Sequence, residues 1–268
     1  MKARIATALV AIPIVLGALL CTHPLPILLV ASAAFGVGSW EFLTMAGRPN
    51  KALAACVVLL FGVLSAAWIT YRQGIADYWV LLGALAFGVA GMLASAKFGA
   101  AAPKPSFVAV SELFAWVGAP LIAIILLHGG VWASFAWTAR AQVLMLFLPL
   151  WAGDTAGILV GMTLGKHKLA PAISPKKTVE GAIANLLASI GVAVLLGEWL
   201  HVSMFRGAAC GLAIGILGQA GDLFESNLKR RADVKDSGTL LPGHGGVLDR
   251  IDSLLFSAIP VALILTIR

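Results

Sequence analysis

The chain has 268 residues, of which 60% are hydrophobic and only 12% charged, against roughly 25% charged in an ordinary soluble domain. That balance leaves no polar shell for a water-soluble globule. Continuous Leu/Val/Ala/Ile runs, in place of alternating segments of about ten residues, exclude a transmembrane β-barrel as well as secreted, collagenous and disordered classes.

What remains is an all-α, polytopic integral membrane protein, because a hydrocarbon layer of about 30 Å is crossed by roughly 20 apolar residues in a helix. In chain order the apolar runs predict about nine spans, near 5–20, 25–46, 52–71, 78–96, 107–127, 141–163, 179–199, 207–224 and 250–267. The first span is expected to be retained. Cys21 follows Ala18-Leu19-Leu20, and Leu20 is too large for the residue that precedes a lipoprotein cleavage cysteine. Cys21, Cys56 and Cys210 show no CxxC spacing and read as small buried hydrophobes.

Nine alternating crossings assign every loop a side, and the basic residues obey the assignment. With the N-terminus inside, 15 of the 19 Lys and Arg are cytoplasmic: Lys2, Arg4, Arg48, Lys51, Lys97, Lys104, Lys166, Lys168, Lys176, Lys177, Lys229, Arg230, Arg231, Lys235 and Arg250. Arg72, Arg140, Arg206 and Arg268 fall outside. A missed or invented span would scatter this asymmetry, so it supports the count together with the orientation. The basic residues sit in short loops without aromatic interleaving, so no nucleic-acid partner is expected. No extramembrane stretch is long enough for a separate domain and no internal duplication is visible, which predicts one integral domain over 1–268.

Two inner-side stretches, 151–181 and 221–252, break the hydrophobic pattern. In the second, Asp222 closes one span while Asp249 and Asp252 open the next, and an i, i+3 pair on a helix faces one way. Carboxylates from adjacent helix ends are the hard oxygen donors that Mg²⁺ takes, with substrate phosphate and water in its remaining positions. Lys229, Arg230, Lys235 and Arg250 lie beside them; alone, these cations would read as positive-inside anchors or contacts to anionic lipid. The turn Gly243-His244-Gly245-Gly246 offers backbone N–H groups without Cβ obstruction, next to the positive end of the last helix, as a phosphate cradle. His244 reads either as a phosphate donor or as a hydrogen-bonding strut.

The first stretch carries Asp154 inside a span, where an ionisable group suggests function. Gly153, Gly157, Gly161 and Gly165 repeat every fourth residue on the same helix and predict a smooth packing face. Ser174-Pro175 reads as a helix cap followed by a first-turn proline, leaving Lys176 and Lys177 toward the cytoplasm as triphosphate clamps, near Lys166 and Lys168. A different class of protein, a secondary transporter using Glu112 and Asp154 as coupling acids, would place its site at the midplane between repeated halves. The crowding of ionisable residues on one face disfavours it.

The pattern Ser226-x-Leu228-Lys229-Arg230-x4-Lys235-Asp236-x-Gly238-x2-Leu241-Pro242-x-His244-Gly245-Gly246-Val247-x-Asp249-Arg250-Ile251-Asp252 resembles, at every defined position, the signature of the phosphatidate cytidylyltransferase, or CDP-diacylglycerol synthase, family. Asp154-Thr155, Gly165-Lys166-His167-Lys168, Ser174-Pro175-Lys176-Lys177-Thr178 and Trp40-Glu41-Phe42 are similar to further family elements. The resemblance implies transfer of CMP from CTP to phosphatidic acid, with CDP-diacylglycerol and pyrophosphate as products. It implies Mg²⁺ as cofactor and a homodimer in a bacterial-type inner membrane, with N-terminus and active site cytoplasmic. By the same resemblance Asp222, Asp249 and Asp252 hold the metal, Lys229 and Arg230 act catalytically, and Ser226 joins the group around the nucleotide phosphates. A phosphate monoester is already largely ionised at neutral pH, so such a reaction needs charge relief more than a base.

Overall fold

The computed structural model describes residues 2–21, 23, 25–47, 112–128, 142–241, 243 and 245–266. The expected spans 52–71 and 78–96, the start of 107–127, Cys56 and His244 lie outside the described residues. The chain falls into two compact units that interleave in sequence: Met1–Val131 with Ser237–Leu248, and Trp132–Asp236 with Asp249–Arg268.

In the first unit, α1 (Lys2–Leu20) and α2 (Leu25–Met45) coincide with the first two expected spans, and α3 (Ala119–His128) follows a π-helical turn, Phe114–Gly118. Leu19, Phe35, Leu43, Leu113, Val117, Leu126 and Leu127 are buried in its core. Gly118 permits the close approach of α2 there, since a Cβ at that position would stand 3.2 Å from the Phe35 ring. Within the 237–248 segment Leu241 pairs antiparallel with Gly245. Gly243 and Gly245 adopt φ of 76° and 85°, a region open to glycine without steric penalty.

In the second unit, α4 (Leu144–Thr163) leads through a short antiparallel hairpin, β1 (Lys168–Ala170) and β2 (Ser174–Thr178), into α5 (Val179–Trp199). α6 (Met204–Ala213), a π-helical turn (Ile214–Gly218) and α7 (Gln219–Arg231) form one continuous helical run, followed by α8 (Leu248–Thr266). The buried residues of α5 are Gly181, Asn185, Ser189, Ala193 and Gly197, every fourth position, while Ile183, Leu187, Leu195 and Trp199 are exposed. Small residues inside and large apolar ones outside is the arrangement suited to lipid, where close backbone packing replaces hydrophobic exclusion as the force between helices.

Glycines make that packing possible on both flanks of α5. Cβ atoms at Gly157 and Gly161 of α4 would lie 3.2 Å from the Gly181 carbonyl and 3.1 Å from Thr178 Oγ1, which bears out the packing role of the glycine repeat. On the other flank, Gly207, Gly211 and Gly215 meet α5 at Ala193, Ile190 and Leu186. Beyond the π turn the glycine face changes partner: a Cβ at Gly221 would meet the Asp252 carbonyl of α8 at 2.7 Å. The extra residue of a π turn rotates the helix beyond it, and Gln219 Nε2 donates to the Gly215 carbonyl at 2.6 Å within it.

Two expectations need correction. Ser174-Pro175 does not cap a helix; both lie in β2, where proline, lacking an N–H, is tolerated at a strand edge. The cap of α5 is Thr178, extended at φ −124° and ψ 153°, whose Oγ1 accepts from Gly181 N. The small hairpin also qualifies the purely α description. The span expected at 207–224 continues as helix to Arg231, because an amphipathic continuation carrying Asp222, Ser226 and Lys229 escapes a hydropathy window. That helix ends in a Schellman motif at Asp233, φ 55°, with Val234 N donating to Lys229 O and Asp233 N to Arg230 O.

Among the described residues, four helices are long and apolar enough to cross a membrane: Leu25–Met45, Leu144–Thr163, Val179–Trp199 and Met204–Arg231. The chain is an α-helical multi-pass membrane protein.

Candidate active site

The second unit brings the two polar stretches together. Lys177, from β2, reaches Asp222 at the start of α7, with Nζ 2.7 Å from Oδ2. Ser226, one turn further along α7, donates to the other oxygen, Oδ1, at 3.3 Å. This node is open to water, with the two charged side chains 24% and 37% exposed. One turn beyond Ser226 lies a second, buried node. Lys229 Nζ donates to Glu225 Oε2 at 2.9 Å, in the same helix, and to Asp249 Oδ1 in the first turn of α8. One ammonium here answers two carboxylates, all three nearly enclosed.

The acids Asp222, Asp249 and Asp252 therefore lie in one unit but with different partners. Asp249 is held by Lys229, Asp222 by Lys177, and Asp252 lies beside Glu225 within electrostatic reach of Asp222. Among the described residues no three His, Cys, Asp or Glu side chains converge as a ready-made metal cage. The donor set nevertheless fits Mg²⁺, which commonly takes one or two carboxylates and completes its shell with phosphate and water. Glu225 Oε1 is buried without a donor, next to another carboxyl group, and that arrangement calls for a cation or a proton.

Asp154, in α4, accepts a hydrogen bond from Asn185 Nδ2 at 3.1 Å, and Asn185 Oδ1 accepts in turn from Gln219 Nε2 at 3.4 Å. The charges of Asp222 and Lys177 both act on Asp154. Lys166, Lys168 and Lys176 are exposed around the hairpin, and Ser174 is half-buried in β2. His167 fastens the hairpin to α5, its backbone and ring nitrogens on the Glu180 carboxylate, the ring at 2.7 Å. Arg230, Lys235 and Arg250 are exposed, and Arg230 reaches back to the Val234 carbonyl at 3.3 Å. Glu112, the other acid of the transporter alternative, belongs to the first unit, whereas Asp154 belongs to the second.

Next to Gly243, Gly245 and Gly246, the two amides that follow are taken up by a carboxylate. Val247 N and Leu248 N, the amides that open α8, both donate at 2.9 Å to the carboxylate of Glu41, which rises from α2. Ser237 Oγ donates to the same carboxylate at 2.9 Å. Gly246 is buried and turned toward that carboxylate, while Gly243 is exposed. Glu41, Glu225, Asn185 and Gln219 were not singled out as site residues from the sequence. Glu225 was visible in principle, three residues after Asp222 and four before Lys229; Glu41 meets its partners across about 200 residues of chain, which no local pattern encodes.

The sequence pattern of the Cytidylyltransferase family matches residues 2–268. The chain belongs to the cytidylyltransferase family. It is similar to phosphatidate cytidylyltransferases of Staphylococcus epidermidis, 37% identical, and Staphylococcus aureus, 39% identical, in each case over 161 residues. The protein of that name from Staphylococcus saprophyticus is 36% identical over the same length. These matches span 58% of this cytidylyltransferase family member and 62% of each relative.

Proposed function

We propose that this family member is a CTP:phosphatidate cytidylyltransferase, transferring CMP from CTP to phosphatidic acid and releasing pyrophosphate. The observation that carries the reading is the Lys177–Asp222 pair, which ties the lysine-rich hairpin to the signature helix in a water-accessible place. An exposed ion pair is weakly held, so a triphosphate can take Lys177 from Asp222, with Lys176, Lys166 and Lys168 available nearby. Asp222, Asp249 and Asp252 are the residues that would hold Mg²⁺ in this reading, one or two of them directly and the rest of its shell filled by phosphate and water. Bound there, Mg²⁺ would relieve the repulsion between the phosphate monoester and the nucleotide.

The chain's own work in this reading is binding and alignment. In this reading Ser226, Arg230, Lys235 and Arg250 bind the nucleotide and head-group phosphates, and His244, Gly245 and Gly246 are substrate-binding residues as well. Asp154, fixed by Asn185, orients the open node from the membrane side. No side chain is needed as a strong base, because the attacking phosphate arrives ionised. The reading includes nine spans, one integral domain over 1–268 and a homodimer in a bacterial-type inner membrane, with N-terminus and site cytoplasmic and C-terminus outside. Pyrophosphate release from CTP by the purified protein tests it: release that requires phosphatidic acid is expected, and release independent of lipid, or none with both substrates and Mg²⁺, contradicts it.

A further inference from the structure

Glu41 is a buried acid 4% exposed, and all of its neighbours in the first unit point to one task. Its two oxygens collect three donors from a single loop: Val247 N on Oε1, and Leu248 N and Ser237 Oγ on Oε2. These donors stand at the two ends of the 237–248 segment, so one carboxylate closes the loop at its base. A carboxylate at the first amides of a helix also offsets the positive end of that helix.

The glycines of the loop record the same arrangement. A Cβ placed on Gly238 would lie 2.5 Å from Glu41 Oε1, 2.9 Å from Cδ and 3.0 Å from Cγ, and these are its three nearest atoms. A Cβ on Gly246 would meet Ser237 Oγ first, then Glu41 Oε2 at 2.5 Å and Cδ at 2.6 Å. Neither glycine has the positive φ of Gly243 and Gly245. Backbone conformation therefore does not demand glycine at 238 or 246; the space taken by Glu41 does at 238, and that taken by Ser237 and Glu41 together does at 246.

We infer that Glu41 is a positioning residue for nucleotide use: it ties together the two ends of the 237–248 loop, and it is the reason Gly238 is a glycine. Amides that would otherwise form an anion site at the start of α8 are already satisfied by Glu41. Phosphate contacts of the loop then fall to its outer turn around Gly243 and Gly245. The inference rests on the proposed cytidylyl transfer for its kinetic consequence, and on geometry alone for the loop.

The test uses the full chain with Cys21, Cys56 and Cys210 replaced and Thr239→Cys as a thiol reporter, Thr239 being exposed in the loop. Glu41→Gln keeps the shape but turns one acceptor into a donor, and Glu41→Ala empties the space. Both are expected to speed labelling at 239 and to lower kcat/KM for CTP on the order of tenfold or more, as buried donors lose their acceptor. Gly238→Ala is expected to do the same in the wild-type background and to add little in the Glu41→Ala background, where its clash has been removed. Labelling unchanged in Glu41→Gln, or Gly238→Ala equally harmful in both backgrounds, overturns the inference. If Glu41→Ala fails to insert, Glu41→Gln with Gly238→Ala decides by the labelling rate. Absence of cytidylyl transfer from the unsubstituted protein, with the labelling pattern as expected, would defeat the proposed function and leave the loop clamp standing.

Discussion

Lys177 and Lys229 each hold carboxylates, yet they differ in what their removal leaves behind. Without Lys229, Glu225 and Asp249 would both lose the ammonium that they share in a nearly closed space. Breaking such a buried arrangement by deleting one partner costs about 3 to 5 kcal/mol. Lys229→Met is expected to lower the melting temperature in detergent markedly, and adding Glu225→Gln is expected to return part of the loss. Additive losses in the double variant would mean that the node does not act as a unit. Lys177 sits in the open, where an ion pair contributes about 0 to 1 kcal/mol. Lys177→Gln should leave the melting temperature almost unchanged, while losing a charge-assisted bond to phosphate worth about 1.5 to 3 kcal/mol, or ten- to a hundredfold in kcat/KM for CTP. Gln at Lys51 or Lys104, read as orienting charges, should leave the kinetic constants near wild type. Equal modest losses at all three positions would reduce Lys177 to an anchor.

At the scale of elements, the helices are joined by backbone approach, so glycine positions on a single helix should differ sharply in tolerance. A Cβ at Gly181 of α5 would meet the Gly157 carbonyl at 2.7 Å and the Gly161 Cα at 3.2 Å, and backbone cannot yield as a side chain does. At Gly191 of the same helix nothing lies within 4 Å. Gly181→Val is expected to lower stability by about 1 to 3 kcal/mol through overpacking, whereas Gly191→Ala should be neutral or stabilising by up to about 1 kcal/mol through helix propensity. Thermal unfolding followed by circular dichroism distinguishes them, and similar behaviour of the two variants would count against the close α4–α5 contact. The same scale shows why some elements were legible in sequence. Span 179–199 is bounded by Thr178 and by the turn after Trp199, and its limits are met by the structure. The hairpin was not legible, because Ser174-Pro175 has the chemistry of a helix start and the pairing of Lys168 with Thr178 depends on chain ten residues away. The π turn at Ile214–Gly218 leaves no local mark in an apolar run, though beyond it Gly221 lies against α8 where Gly211 and Gly215 lie against α5.

For the whole molecule, charge asymmetry and the signature predicted one polar face, and the Lys177–Asp222 contact brings two residues far apart in sequence to the same end of the second unit. Side-chain partners were less legible than sidedness, since the pairing of Lys229 with Asp249, 20 residues further along the chain, leaves no local pattern in the sequence. If 164–178 and 225–249 are cytoplasmic, single cysteines at exposed positions 176 and 239 should react only with reagent admitted to the cytoplasm, and a cysteine at 268 only from outside. Labelling of 239 from outside would reverse the orientation.

Cytidylyl transfer carries the α-phosphorus of CTP to a lipid phosphate, and the position of a radioactive label reports it directly. Purified protein in phosphatidic acid micelles with Mg²⁺ should transfer label from α-³²P CTP into the chloroform-soluble fraction and release label from γ-³²P CTP as pyrophosphate. Label from the γ position in the lipid, or lipid that stays unlabelled from the α position while CTP is consumed, would contradict it.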